Sequence, residues 1–434
     1  MSEKVILTDL LRPVFSSKGP KSHWFGYYNY SPISADGTKL LSHEVNFDGR
    51  NILPDDTADI GWYDLKDGTW HKVATTRAIN WQQGSMLQWL GPDFNTRVIF
   101  NDAEDGHFVS RIYDTRTGEL EKTIPFAIYG VTPDGKTSIS LQFERSYWCR
   151  AYHYESVANS EWDGQVASGD GIFSVDIVTG EIKRILTIEE IIEKSGRKAG
   201  NNEKHWIEHV MLNRSGTAFA FYYRCGDKTR FSKTVGFVAP LDGSRLEMMP
   251  LPEDCDPSHL GWVDDGRFVV YCYALSGMVK KYSGTVRAKS LKSKIIVGFV
   301  RNIIKKMLPS KVVKAAKGSA YYILVDCKEG KTDRLPIMQL PEDGHPSFTA
   351  DGRFMLTDTY ADKDGYRHLL IYDMQKGCAI QLGKFHSPFN CCGYRADLHP
   401  RFSRDEKRVI IDSAHTGQHQ VHMFELDWKR VICP

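Results

Sequence analysis

Long hydrophobic runs are missing from this 434-residue sequence, so no segment reads as a helix that crosses a bilayer. Charge imbalance is missing as well. The formal net charge is only +2, which argues against a nucleic-acid partner held by bulk charge. The first residues, Met1-Ser2-Glu3-Lys4-Val5, carry no apolar core of signal-peptide length, and a cytoplasmic protein is expected. Nine cysteines, an odd number without a Cys-x-x-Cys pair, are expected to be reduced thiols. The adjacent Cys391 and Cys392 are not expected to bond each other, and no zinc knuckle is indicated. Neither a Gly-rich phosphate loop nor a nucleophile elbow is present.

What the chain does have is an internal repeat, and a repeat decides the fold before anything else does. Its best copy is Asp397-Leu398-His399-Pro400-Arg401-Phe402-Ser403-Arg404-Asp405, which runs through a turn into Val409-Ile410-Ile411. That is a short strand, a tight turn and a β-branched strand. Further copies are His345-Pro346-Ser347-Phe348-Thr349-Ala350-Asp351-Gly352, the run from His259 to Gly266 and the run from His209 to Gly216. In these four, a histidine stands six residues before the turn position. Weaker copies upstream put Tyr30, Gln88 and Ile128 in the histidine's place, for seven in all.

Each copy is followed by a second hairpin signature, an apolar strand ending in Asp and then a turn bearing Gly. Examples are Trp62-Tyr63-Asp64 with Gly68, Ile112-Tyr113-Asp114 with Gly118 and Ile371-Tyr372-Asp373 with Gly377. Seven units of four strands predict an all-β fold, a seven-bladed β-propeller occupying the whole chain. The seventh copy ends after its third strand, at Asp427. The N-terminal run Val5-Ile6-Leu7 is expected to supply the missing strand and close the ring.

Two insertions interrupt the spacing. In blade 3, residues 144–170 carry Arg145, Tyr147, Arg150 and Tyr152. Guanidinium groups pair carboxylates and rings stack on pyranose faces, so this run is a candidate for binding an anionic sugar, against packing of the loop on the propeller. In blade 5, residues 274–320 are interrupted by many charges. Between Lys280 and Lys317 there are twelve Lys or Arg and no Asp or Glu, which leaves the rest of the chain near −10. Ile296, Phe299, Val300, Ile303 and Met307 recur at helical spacing, with Lys294, Arg301 and Lys305 on another face. A basic amphipathic helix of this kind predicts an anionic membrane surface as partner, with a solvated helix on the propeller flank as the alternative. A peripheral position at the inner face of the cell membrane is then expected. After blade 3, Ile188 to Lys194 reads as a short connecting helix ended by Gly196.

In a propeller the innermost strands line the central channel, so His209, His259, His345 and His399 are expected to converge at one mouth. Neutral imidazoles grouped in this way are ligands for manganese, zinc, iron or nickel, or acid/base groups. His205, Arg224, Arg230, Asp343, Arg395, Asp397 and His415 are candidates for the same space, with His23 approaching from blade 1. The plain alternative is a set of structural histidines bonded to neighbouring blades.

At these residues the chain resembles a known group. The copies beginning at His345 and His399 are similar to the blade motif of TolB-type propellers and, more narrowly, to the oligogalacturonate lyase family of seven-bladed polysaccharide lyases. In that family, channel-mouth histidines and a glutamine hold a divalent metal, usually manganese, and a further histidine is a candidate base. The resemblance implies His259, His345 and His399 as metal ligands and His209 as the base. Arg224 and His415 join His209 as catalytic candidates. Tyr30, Gln88, Arg145, Tyr147, Arg150, Arg230 and Arg395 are candidates to bind substrate. This chain departs from the family's final motif: Arg401 stands where a second histidine is expected, and Arg395-Ala396-Asp397 contains no glutamine. The implied reaction is β-elimination on a uronic-acid-containing oligosaccharide or lipid-linked glycan. The competing class is a non-enzymatic propeller that scaffolds membrane-associated polysaccharide assembly.

Overall fold

The computed structural model describes residues 4–197, 203–227, 230–274, 320–336, 342–390 and 392–431. They form seven antiparallel sheets, the blades of a propeller, with two short α-helices among them. The innermost strands of blades 2 to 7 are Gln88–Trp89, Gly130–Val131, Lys204–Leu212, Cys255–Trp262, Ser347–Phe348 and Arg401–Phe402. Blade 1 begins with Ser22–Trp24 and touches its second strand again only at a bridge from Ile33 to Leu40.

The turns that mark the repeat work as their chemistry requires. In Ser34/Asp36, Thr132/Asp134, Thr349/Asp351 and Ser403/Asp405 the hydroxyl donates to the carboxylate at 2.6–2.7 Å. The same carboxylates accept backbone N–H groups two residues on, so each turn closes on its own side chains. The second hairpins follow suit: Asp64, Asp114, Asp176, Asp326 and Asp373 accept from the turn backbone. Gly68, Gly118, Gly180, Gly330 and Gly377 take the positive φ that ends each turn.

The ring closes through the N-terminal region, but not with the expected strand. Leu11–Ser16 is the outermost strand of blade 7, pairing Leu11 with Leu426 and Ser16 with His422. Val5–Leu7 instead joins blade 6 as a fifth strand against Phe385, Lys384 and Gly383. Pro13 conceals the closing strand in the sequence. It is tolerated because an edge strand needs no donor on its outer side, and the register shifts between Pro13 and Phe15.

A second correction concerns register in blade 2. Trp89 pairs with Val98 as Phe402 pairs with Val409 and Phe348 with Met355. Counting back three residues from each makes Met86, not Gln88, the counterpart of His345 and His399. Met86, His209 and His399 share a positive φ of 56°, 54° and 43°. That backbone turn, costly for a residue with a Cβ, marks the level where the strands enter the channel.

Polar clips join several blades. Three residues along from the inner pairing, the second strands of blades 1, 2, 6 and 7 carry His43, Asn101, Asp358 and Asp412. His43 Nε2 accepts from Ser85 N at 3.0 Å and Asn101 Oδ1 from Ile128 N at 2.7 Å. Asp358 Oδ2 accepts from Leu398 N and His399 N at 3.1 and 3.3 Å. Asp412 accepts from Phe25 N and Gly26 N, both at 3.0 Å. Each group satisfies otherwise orphaned N–H groups at the start of the next blade and holds its first residues in place. Matching Gly26 to His399 by this clip, and Ile33 to Phe402 by pairing, leaves four additional residues in blade 1. These are Tyr27 to Tyr30, and they bulge into the channel.

Cys255 and Cys272 form a disulfide between the first two strands of blade 5, which corrects the expectation of reduced thiols for that pair. The blade 3 insertion contains the helix Phe143–Cys149, and Ile188–Lys194 is a helix with a Thr187/Glu190 capping box. The basic segment 280–317 lies outside the described residues. Its flanking strands, Arg267–Ala274 and Tyr321–Asp326, pair Cys272 with Tyr321, so it leaves blade 5 at the histidine end of the propeller. No helix among the described residues is long and apolar enough to cross a membrane.

Candidate metal and substrate site

The four histidines form an arc. Ring centroids lie 5.7 Å apart for His209 and His259, 4.2 Å for His259 and His345, and 4.2 Å for His345 and His399. Tyr27 and Tyr28 pack against this arc: Tyr28 stands 5.2–6.3 Å from His345, His399 and His259, and Tyr27 5.8–6.1 Å from His399 and His209. Tyr28 Oη donates to Leu260 O at 2.7 Å, which anchors the bulge across the channel.

Carboxylates back three of the four rings. Nδ1 of His209 faces Glu208 at 3.1 Å, that of His259 faces Asp343 at 3.1 Å, and that of His345 faces Asp358 at 2.8 Å. An ionised carboxylate accepts only, so each Nδ1 carries a proton, and in His209 and His345 the Nε2 keeps its lone pair. Burial lowers the pKa of His209 to about 4, and burial with a neighbouring imidazole holds His345 and His399 well below the usual range. These rings are neutral at pH 7.

Donor atoms of His345, His399 and Asp397 lie within 4.8 Å of one another, the one such group of three among the described residues. Burial alone would raise Asp397, but Arg367 and Arg395 outweigh it and keep the carboxylate ionised. Two neutral imidazoles and a carboxylate, one imidazole fixed from behind by Asp358, fit a divalent ion of the manganese, iron or zinc kind. His259 was expected in this set; it stands next to His345, and Asp397 takes its place in the cluster. Arg401 presents no ligand, because its guanidinium is held by Gly26 O, His399 O and Asp412.

The remaining candidates divide. Arg150 Nε meets Glu208 at 2.8 Å and Arg224 also pairs with Glu208, so both reach the arc. Glu208 is driven well below its ordinary pKa by these two arginines against the opposing effect of burial. Arg395 lies between Tyr360 and Tyr152, its guanidinium 4.6 and 5.3 Å from the ring centres. Arg145 does not face the channel. It is buried and donates to the carbonyls of Trp162, Gly164, Gln165 and His205, which makes it the pin of the blade 3 insertion. Tyr147 packs edge-on against Trp148 and His153 in the same insertion. His415 is not in the arc either: its ring meets His422 at 4.4 Å and Phe385 at 5.5 Å, out along blades 6 and 7. Tyr30 and Gln88 both donate to Tyr129 O and line the channel beyond the Tyr28 plug. His205 bonds Tyr223, and His23 bonds Tyr63. The side chain of Arg230 lies outside the described set.

Asp343 and Asp397 were among the sequence candidates; Glu208, Asp358, Tyr28 and Tyr360 were not. One signal for Asp358 was available: it occupies the same register as Asp412.

The fold has solved counterparts. It superposes on an oligogalacturonate lyase from Vibrio parahaemolyticus with a TM-score of 0.63 at 14% identity, over 99% of this chain and all of the other. An oligogalacturonate lyase in complex with manganese gives 0.62 at 17% identity over 98% of each chain. The likeness is one of fold. No protein-family model matches the sequence, and no curated protein does.

Proposed function

We propose that this propeller is a carbohydrate-active protein, a metal-assisted lyase acting by β-elimination on a uronic-acid-containing oligosaccharide or lipid-linked glycan. The observation that carries the reading is the convergence of His345, His399 and Asp397 beside a third and a fourth imidazole. The fold shared with two oligogalacturonate lyases, one of them in complex with manganese, supports it.

His345, His399 and Asp397 would hold the ion, with His259 beside them. A divalent ion there would neutralise the uronate carboxylate and acidify its α-proton. His209 is positioned to remove that proton: Glu208 fixes its tautomer, so Nε2 is the basic atom. The electron pair released from the C–H bond forms the new C=C bond as the glycosidic C–O bond to the β-carbon breaks. The departing oxygen takes a proton from water. Glu208 lies between Arg150 and Arg224, and Asp397 between Arg367 and Arg395, so guanidinium groups flank two of the carboxylates of the arc. Arginines at the mouth can pair the carboxylate of an anionic substrate. Tyr152 and Tyr360 offer ring faces beside Arg395 for a pyranose. On the same reading the protein works in the cytoplasm, at the inner membrane face through residues 280–317.

The test is metal analysis of untagged protein, followed by a panel of uronate-containing oligosaccharides monitored for the ultraviolet absorbance of the unsaturated product. A stoichiometric divalent ion and turnover abolished by chelator are expected. Absence of product with manganese, iron and zinc across the panel overturns the lyase reading.

A further inference from the structure

Glu208 is the carboxylate behind His209, and both of its oxygens are shared. Oε1 accepts from His209 Nδ1 at 3.1 Å and also meets Arg224. Oε2 meets Arg150 Nε at 2.8 Å and accepts from Trp206 Nε1 at 3.3 Å. A carboxylate offers about four lone-pair sites, and these donors occupy them all. His209, Trp206 and Arg224 belong to the first two strands of blade 4, Lys204–Leu212 and Ala218–Asp227. Arg150 does not. It comes from the blade 3 insertion.

The insertion holds that guanidinium in place from several sides. Arg145 anchors the loop on the carbonyls of Trp162, Gly164, Gln165 and His205. Glu144 Oε1 accepts from Phe108 N of blade 2 at 3.0 Å. Arg150 follows the helix Phe143–Cys149 directly. Its N–H donates to Ser146 O at 2.9 Å, and its carbonyl accepts from His153 Nδ1 at 2.8 Å. The backbone is therefore fixed on both sides of the residue. The side chain is almost wholly buried, near Tyr27 and Tyr129. A guanidinium so enclosed, and already committed to a carboxylate of the protein, is badly placed to clasp one from a substrate.

We propose that Arg150 is a positioning residue for His209 and not a substrate contact: by holding Oε2 it aims Oε1 at Nδ1 and keeps the tautomer whose Nε2 is unprotonated. Without it, Oε2 retains Trp206 as donor, through a long contact. Arg224 is then free to take both oxygens in the two-point fork that a guanidinium favours, at the expense of Nδ1. The imidazole can move its proton to Nε2, the atom that the elimination needs bare. The insertion thus belongs to the site, through one side chain that acts on its neighbour's base. The effect on turnover rests on the lyase reading; the effect on the tautomer does not.

The test is nuclear magnetic resonance of the full chain in chelator, with isotope-labelled imidazole nitrogens, comparing the parent with Arg150→Gln. Signals of His209 are assigned by their loss in His209→Ala. The parent is expected to show His209 protonated at Nδ1, and Arg150→Gln to show at least a tenfold rise in the form protonated at Nε2. With metal restored and a uronate-containing oligosaccharide as substrate, kcat should fall at least tenfold while KM changes less than twofold. An unchanged tautomer in folded Arg150→Gln overturns the proposal. So does the opposite split, a raised KM with kcat kept, which marks a substrate contact. Melting temperature reports whether the variant is folded. If it is not, Arg150→Lys keeps the charge but lacks the Nε–H that meets Glu208, and the same readouts apply. Failure of both variants to fold makes Arg150 a structural pin and also overturns the proposal. A tautomer shift in a protein that turns over no uronate sinks the lyase reading alone.

Discussion

One oxygen of Asp358 accepts from Nδ1 of His345 at 2.8 Å, and the other accepts from the backbone N–H of His399 at 3.3 Å. A single carboxylate thus orients one candidate ligand and positions another in the next blade. Asp358→Asn keeps the shape but removes the charge and one of the two acceptor oxygens, so it cannot both orient His345 and hold the backbone of Leu398 and His399. Manganese affinity is expected to fall about 10- to 100-fold, the usual loss for a residue behind a metal-bound histidine. Titration of chelator-treated protein checks this, and unchanged affinity would exclude the role.

Substitution of the histidines should separate two jobs. His345→Ala and His399→Ala are expected to abolish metal binding. His209→Ala should leave metal bound and stop turnover, since Glu208 and the ligand cluster remain. All four imidazoles are largely buried in the folded protein, and each truncation also leaves a cavity or an unpaired carboxylate. Thermal stability must be measured alongside metal content. Metal retained in both His345→Ala and His399→Ala would show that the cluster is structural.

Acid should destabilise the protein earlier than its carboxylates alone would require. Burial lowers His43, His209 and His415 to about 4 and His422 to about 3 in the folded state. Unfolded histidine titrates near 6.5, so between these values the unfolded chain binds more protons and stability rises with pH. The contribution is whole above about pH 6.5 and is lost as pH falls toward the folded values. Melting temperature in chelator should therefore drop steadily between pH 6.5 and 4. A flat profile over that interval would contradict neutral buried rings.

Two N-terminal deletions should differ. Removing residues through Leu7 takes away only the fifth strand of blade 6, and a modest loss of stability is expected. Removing residues through Ser16 takes the closing strand of blade 7 and exposes the edge at Gln420–Leu426. That loss should be several kcal/mol, read as a denaturant midpoint. Equal effects would refute closure by Leu11–Ser16.

Arg145 and the basic insertion give opposite expectations. Arg145→Ala uncovers several buried carbonyls and should cost about 3 kcal/mol or more without a direct effect on substrate contacts. Deleting 280–317 should leave the fold intact, because Arg267–Ala274 and Tyr321–Asp326 pair without it. The deletion is expected to abolish binding to anionic vesicles at physiological salt, and equal binding by both forms would remove the membrane proposal.

The repeat was legible because its turns are local. Ser403 and Asp405 close their hairpin with their own side chains, and the same kind of pair recurs in the turns of blades 1, 3 and 6. The histidines were legible because their register follows from those turns. Register failed in blade 2, where Gly91-Pro92-Asp93 lacks the Asp-Gly pair and the count slipped from Met86 to Gln88. The partners of the site were harder to read for a physical reason. Asp358 lies 13 residues after His345 in sequence and meets it only through strand pairing. Arg145 and Arg150 look alike in sequence, yet one ends among carbonyls and the other on Glu208. Only the fold of the insertion separates them.

The Tyr27/Tyr28 bulge also orders events in time. It is made well before His399 and the Asp412 clip that holds Phe25 and Gly26, the clip partners lying 387 and 386 residues apart in the chain. Until blade 7 leaves the ribosome, the arc the tyrosines pack against lacks His399, and the cluster of His345, Asp397 and His399 is incomplete. A nascent chain therefore cannot display a finished site, and whatever chemistry the mouth performs is withheld until the ring has met itself.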